Sequence, residues 1–162
     1  MSKPSVADQR REIRFADFQE MLGEAQRLLE GGYESKGNWT LGQATSHIAD
    51  WMRFPMDGFP KPPFFLAIIF WIMKQTIAPG MKRKILAEGF PPGQPTAPET
   101  VADPQQMTDE AGVQKLRDTV QRIETYRGEL HPSPLFGPMD LEQLKTVSLL
   151  HAAHHLGYLH PA

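Results

Sequence analysis

The residues of this sequence best suited to chemistry are its histidines. The chain of 162 residues contains six histidines and no cysteine. Without cysteine it can form no disulfide bond, zinc–thiolate site, iron–sulfur cluster or cysteine nucleophile. Any metal site in this chain must therefore be built from histidine and carboxylate side chains.

Two of the histidines, His151 and His155, lie four residues apart near the end of a predicted helix. At about 100° per residue, both fall inside the wedge of apolar side chains, so their rings point inward one turn apart. Such a pair can place two ring nitrogens on one metal ion. His154 falls at the edge of the wedge and is a less favourable partner. The alternative interpretation is a pair of histidines at the edge of the core, bonded to backbone carbonyls or water.

A third ligand has to come from another helix, and His47 is the candidate. It lies two turns into the second predicted helix, beside an apolar stripe. Alone it is more typical of a structural histidine, but an antiparallel fourth helix would bring His151 and His155 to its level. The convergence favours a divalent metal ion, with zinc or nickel preferred and iron or manganese as alternatives. We expect His131 and His160 to lie in loops.

The elements that must position these residues are four long helices. The 15 prolines are clustered, and because proline breaks helix interiors, long helices fit only in the gaps between the clusters. Capping-box sequences at Thr40 and Asp140 indicate two helix starts. The predicted helices cover about residues 15–29 (ending at Gly31-Gly32), 40–54, 109–129 and 140–159.

A long proline-rich connection, about residues 55–108, joins the second and third helices. Four helices with one such connection predict an all-α fold, a four-helix bundle with a crossover. We expect one domain over residues 1–162, with a flexible N-terminus of about 12 residues. The crossover would make helices two and three parallel, and helices two and four antiparallel. Within it we expect an extra apolar helix at 64–77 and a shorter one at 81–88.

The apolar run from Phe64 to Met73 is too short to span a membrane, which takes about 20 residues. A buried lid helix is its favoured role, followed by a homodimer contact and then a membrane-surface element. The net charge of −2 argues against a nucleic-acid partner. The polar N-terminal segment does not resemble a secretory signal, so we expect a cytoplasmic location.

Residues 37–49 resemble the second-helix motif of the DinB-like superfamily, which is Trp-Ser/Thr, six further residues and His. Here those positions are Trp39, Thr40 and His47. Residues 131–137 and 150–159, with the His-x-x-x-His pair, resemble the fourth-helix motif. The resemblance covers about residues 14–159 and is closest to a branch known mainly as a domain of unknown function.

This resemblance implies a four-helix bundle that binds a divalent metal ion through His47, His151 and His155. Characterised members include thiol S-transferases that use low-molecular-weight thiols and a thiol-dependent isomerase. The long proline-rich insertion departs from the simpler members.

The leading functional hypothesis is a metal-dependent enzyme of the thiol S-transferase or hydrolase type. Three neutral imidazoles leave an open coordination position, where a bound water or thiol loses its proton more readily. Because the chain has no cysteine, a thiol would come from solution. We expect the enzyme to act on a small-molecule substrate.

Asp50 and Tyr158, each about one turn from a ligand, are candidate acid–base groups. A solvated carboxylate and a phenol at the core edge are their alternative roles. The alternative function is a non-catalytic metal-binding or stress-related module with no turnover.

Overall fold

The computed structural model describes residues 9–61, 76, 78–91, 101–134 and 136–162. This part of the chain is mostly helical, so the predicted all-α class is confirmed. Its elements are the helices α1 (Phe18–Gly31), α2 (Leu41–Asp57), α3 (Ala78–Glu88), α4 (Asp109–Thr125) and α5 (Leu141–Leu156), and the strands β1 (Tyr33–Ser35) and β2 (Leu159–Pro161).

The helix starts follow the predicted capping sequences. The Thr40 side chain accepts the N–H of Gln43, and the Gln43 side chain accepts the N–H of Thr40. Asp140 and Gln143 form the same reciprocal pair at the start of α5. Each pair satisfies two backbone donors that a helix start otherwise leaves unpaired. The starts of the two helices that carry the three candidate ligands are thereby set locally.

The end of α2 differs from the prediction. The helix was expected to stop before Pro55, but it continues to Asp57 with Pro55 inside it. Proline removes one helical hydrogen bond. Here its ring is buried, and its carbonyl accepts the N–H of His131 at 2.7 Å. These tertiary contacts offset the missing bond, so the helix persists for three residues beyond the expected limit.

The predicted ends of the last two helices were also wrong. α4 ends at Thr125 rather than near residue 129, and α5 ends at Leu156 rather than near 159. The chain after α5 forms β2, which pairs antiparallel with β1. This small ribbon ties the C-terminal segment to the chain that leaves α1, and local helical periodicity contains no sign of such a long-range pairing.

Four helices surround one core, in the arrangement of a four-helix bundle. Apolar side chains from each of them are fully or almost fully buried there. Representative core residues are Met21 and Leu28 of α1, Ile48 and Met52 of α2, Leu116 and Ile123 of α4, and Leu144 and Leu156 of α5.

The predicted parallel arrangement of the second and third long helices is confirmed. Near the start of both helices, the N–H of Gly42 in α2 donates to the Asp109 carboxylate of α4 at 2.7 Å. Near their ends, Arg122 of α4 donates to the Asp57 carboxylate at 3.0 Å. α2 and α4 therefore run in the same direction.

The predicted antiparallel arrangement of α2 and α5 is also confirmed. The ring of Trp39, just before α2, lies 4.8 Å from the ring of His155 near the end of α5. The ring of Trp51, farther along α2, lies 5.2 Å from that of His151, one turn earlier in α5. The start of α2 is therefore beside the end of α5.

The connection between α2 and α4 contains α3, which agrees with the short helix predicted at 81–88. α3 packs against α5 through a small cluster of Ile85, Phe136 and Val147. The predicted apolar helix at 64–77, including the run from Phe64 to Met73, lies outside the described residues except for position 76. Among the helices that the structure describes, none has the length and apolar character needed to cross a bilayer.

Candidate metal centre

Three histidines meet between α2 and α5. His47 comes from α2, and His151 and His155 come from successive turns of α5. One ring nitrogen of each lies within 4.8 Å of the others, and the Nε2 atoms of His151 and His155 are 2.9 Å apart. The structure therefore brings together the three residues that the sequence predicted as metal ligands.

The position of His47 depends on how α2 is held against α4. Gly42, five residues before His47, lies directly against the start of α4, where a Cβ atom would come within 2.5 Å of the Thr108 carbonyl. Farther along α2, Lys115 of α4 donates to both Ser46 and Asp50. These contacts on the α4 side leave His47 facing α5.

The three imidazoles are largely removed from water. His47 is 1% exposed and His151 is 7% exposed, whereas His155 keeps some exposure. Burial, reinforced by the neighbouring histidines, lowers the pKa of both His151 and His155 well below the ordinary value. Both rings are therefore neutral at pH 7, and the neutral imidazole is the form that binds metal ions.

The spacing of the nitrogens suits a divalent cation. Zinc binds histidine nitrogen at about 2.0–2.1 Å, which places the nitrogens of a tetrahedral site about 3.4 Å apart. The Nε2 atoms of His151 and His155 are 2.9 Å apart, slightly less than that value, and no pair of the three ring nitrogens is more than 4.8 Å apart. Small ring rotations would therefore bring all three nitrogens to one ion. Three imidazoles would leave the fourth position of such an ion for water or a substrate.

Aromatic side chains surround the three histidines. Trp39 stacks on His155, with the ring centroids 4.8 Å apart and the planes 15° apart. The rings of Trp51 and Phe90 each lie 5.2 Å from His151. These rings hold the imidazoles in place and limit the access of water.

The sequence contained a signal for two of these aromatic residues. Trp39 belongs to the motif that carries the DinB-like resemblance, and Trp51 lies one helical turn after His47. Phe90 lies beyond the end of α3, in a connection without periodicity, and no local pattern predicted its contact with His151.

The other histidines have different partners. Nη1 of Arg10 lies 2.6 Å from Nδ1 of His154, and since a guanidinium only donates, Nδ1 must accept and the ring proton lies on Nε2. Burial, followed by the nearby Arg10 charge, lowers the pKa of His154 to about 4. His160 was expected in a loop but lies in β2, where its ring donates to the Gln9 carbonyl at 2.8 Å. His131 lies in a loop, as expected, and is exposed.

The two candidate acid–base residues have other neighbours. The Asp50 carboxylate accepts a hydrogen bond from Lys115 of α4 at 2.8 Å. The Tyr158 ring follows the end of α5 and lies 5.7 Å from the ring of His154. Asp50 therefore contacts α4, and Tyr158 lies next to a histidine outside the group of three. Their catalytic roles stay predictions.

A narrow apolar pocket reaches His151 from the side of α2 and the 131–137 loop. Its walls include Trp51, Pro55, Phe136 and Val147. The centre of a water molecule can occupy about 10 Å³ of it, which is close to the minimum volume for one water. This pocket has room for a water beside His151 but not for a larger substrate.

Comparison with known proteins yields one family. The model of a family described as "Protein of unknown function (DUF1569)" matches residues 7–162. No curated protein and no solved structure matches the chain significantly.

Proposed function

Since the chain belongs to the DUF1569 family, whose function is unknown, we propose a function from its own site. The protein binds one divalent metal ion through His47, His151 and His155, and it uses the ion to activate a small thiol or water. Zinc or nickel is the favoured ion, and the reaction is of the thiol S-transferase or hydrolase type.

The observation that carries this proposal is the convergence of three ring nitrogens within 4.8 Å. Two of them lie one turn apart on α5, and the third comes from α2, over 100 residues earlier in the chain. Ordinary core histidines are satisfied by backbone carbonyls or water and do not need to aim at one another. A shared cation accounts for all three positions.

The composition of the site favours catalysis over a purely structural metal. A structural zinc site is normally closed by four protein ligands, whereas the group found in the described residues has three. Because imidazoles are neutral, the bound ion would keep its full charge and lower the pKa of a water or thiol in the open position. The protein's own side chains would bind the ion, orient the ligand and exclude bulk water.

The resemblance to the DinB-like superfamily supports the thiol branch of this proposal. That resemblance rests on Trp39, Thr40 and His47 and on the His-x-x-x-His pair. In this chain the thiol would be supplied from solution because the sequence has no cysteine. Asp50 and Tyr158 remain our candidates for proton transfer, Tyr158 acting through its neighbour His154.

The metal content of purified protein tests the first step. Protein prepared without a nickel column should contain about one equivalent of a divalent metal by elemental mass spectrometry. His47→Ala, His151→Ala and His155→Ala should each lose most of it, because two imidazoles bind weakly. His131→Ala is the matched control and should keep its metal. Unchanged metal content in all three ligand variants would overturn the proposal.

Cobalt substitution separates an enzyme-like site from a structural one. Cobalt in a site with an open position should change its visible spectrum when a small thiol is added, because a thiolate becomes its ligand. A screen of thiols with electrophiles, and of hydrolysable esters, should then reveal turnover that His47→Ala lacks. A cobalt spectrum that no thiol changes, together with no turnover, would indicate the non-catalytic metal-binding module instead.

A further inference from the structure

A second cavity, larger than the narrow pocket, also lies against α5. It is a cleft of about 400 Å³ between residues 10–14, the end of α3 and the face of α5 that includes Leu150 and Ala153. Binding sites for small molecules typically have volumes of about 300–1,000 Å³. The cleft is therefore large enough for a small organic ligand.

The cleft ends one layer of side chains from the candidate metal ligands. His154 and Phe90 form part of its wall. The His154 ring lies 4.8 Å from the ring of His155, and the Phe90 ring lies 5.2 Å from that of His151. A molecule bound in the cleft would therefore be separated from the group of three histidines by the His154 and Phe90 side chains.

Arg10 is placed to bind an anion in this cleft. Its Nη1 donates to the Phe90 carbonyl at 2.9 Å and to His154 at 2.6 Å, which uses both hydrogens of that atom. The other three hydrogens, on Nε and Nη2, make no hydrogen bond or ion pair with the described residues. Nε and Nη2 together form the planar fork that binds a carboxylate through two parallel hydrogen bonds.

The other charged side chains of the cleft do not neutralise the Arg10 charge. The Arg11 guanidinium is already paired with Glu24 at 2.7 Å, and Arg14 lies exposed at the rim. Of the two acidic residues in the wall, Glu12 is exposed and Glu88 faces Lys84 at 3.9 Å. Arg10 is half-buried and contacts His154, the neighbour of His155.

The rest of the wall favours an apolar body on the ligand. Leu86 of α3, Phe90 and Leu150 of α5 contribute apolar surface along the cleft. Apolar contacts supply most of the binding energy in such sites, while a few polar groups fix the orientation. The cleft thus combines an apolar wall with one cationic fork at the end nearest the histidines.

We propose that this cleft binds the substrate of the metal site, and that the substrate is a small carboxylate with an apolar body. Arg10 binds the carboxylate, Arg14 adds attraction at the rim, and Leu86, Phe90 and Leu150 contact the body. This inference rests on the proposed metal-dependent function, because it assigns the substrate class of that site.

A pair of matched probes tests the assignment. 4-Phenylbutyrate and its neutral analogue 4-phenylbutan-1-ol are titrated into the metal-free full-length protein and followed by amide NMR. The acid should bind about tenfold more tightly than the alcohol, and it should shift the amides of Gly89, Phe90 and Ala153. Arg10→Gln should remove this preference for the acid, and Arg14→Gln should reduce it. Arg83→Gln, which removes an exposed charge of α3 outside the cleft, should leave it unchanged.

Several results would overturn the cleft assignment: equal binding of acid and alcohol, shifted amides elsewhere, or full acid preference in folded Arg10→Gln. If Arg10→Gln does not fold, titration of the two probes into the wild type and into Arg14→Gln still tests the cleft assignment.

The distance between the bound acid and the metal is tested with cobalt-loaded protein. Cobalt should broaden the phenyl proton signals of the bound acid relative to zinc-loaded protein, and no broadening would overturn the link to the metal site. Failure to bind metal, with the acid preference intact, would overturn the proposed function instead.

Discussion

At the scale of single residues, the state of the three histidines depends on the cost of burying charge. A protonated imidazole in this group would lose its hydration, and a second protonated ring beside it would add charge repulsion. Burial, together with the adjacent histidines, accordingly lowers the pKa of His151 and His155. The folded protein therefore holds these rings neutral, whereas in the unfolded chain their pKa is near the ordinary value of 6.5.

This difference predicts how stability depends on pH in the metal-free protein. Below pH 6.5 the unfolded chain takes up protons that the folded chain cannot, so the free energy of unfolding should fall as the pH falls. Each histidine contributes at most about 1.4 kcal/mol per pH unit. Urea unfolding in EDTA at about pH 5–7 measures the slope; this range avoids the carboxylates, which titrate lower.

Substitutions identify the groups responsible for the slope. His151→Gln removes one neutral buried imidazole and should reduce the slope below pH 6.5. His131→Gln removes an exposed histidine and should leave it unchanged. A metal-free protein whose stability does not change over this range, or a His151→Gln slope equal to that of the wild type, would show that the rings take up protons freely in the fold.

The sequence alone could predict that these three histidines lie together, because each follows a helical pattern. The four-residue spacing of His151 and His155 places them on one face of any helix, and His47 lies beside the apolar stripe of another. Arg10 and Phe90 could not be predicted in the same way. Their contacts with His154 and His151 join segments without periodicity, so only the folded chain brings them together.

At the scale of elements, the close contact of α2 with α4 sets the position of His47. Two glycines allow this approach. A Cβ atom on Gly42 would lie 2.5 Å from the Thr108 carbonyl, and one on Gly112 would lie 2.5 Å from the Thr45 hydroxyl. Both helices lack a side chain where they cross, so their backbones meet.

Gly112→Ala tests this contact. The added methyl has no room, so the helices must separate, and we expect a loss of about 1–3 kcal/mol in the free energy of unfolding. Gly23→Ala in α1 is the matched control, since nothing lies within 4 Å of its Cβ position. Because alanine favours helices, this control should gain about 0.5–1 kcal/mol. Urea unfolding measures both; a Gly112→Ala variant as stable as its control would show that the contact is not tight.

The bounds of the helices were predictable only where they are set locally. The starts of α2 and α5 follow from Thr40 and Asp140, because capping involves residues three apart. The end of α2 does not, since burial of Pro55 and its bond to His131 come from distant parts of the chain. The end of α5 likewise depends on β2 pairing with β1, more than 100 residues away.

At the scale of the whole molecule, the candidate metal centre brings together residues that lie far apart in the sequence. His47 belongs to the first half of the chain, and His151 and His155 lie near its end. The unfolded chain seldom brings these three residues together, so a metal ion bound by all of them binds the folded state preferentially. The proposed metal binding would therefore be coupled to folding stability.

This coupling predicts a thermal shift. At a free zinc concentration of about 100 times Kd, preferential binding should add about 2.7 kcal/mol to the free energy of unfolding. For a domain of this size that raises Tm by roughly 5–11 °C. EDTA should reverse the shift, and His47→Ala should abolish it, because His47 is the candidate metal ligand that α2 contributes among the described residues. An equal shift in His47→Ala would mean that the α5 pair, or an unrelated site, binds the ion without α2, and that the ion does not join the two helices.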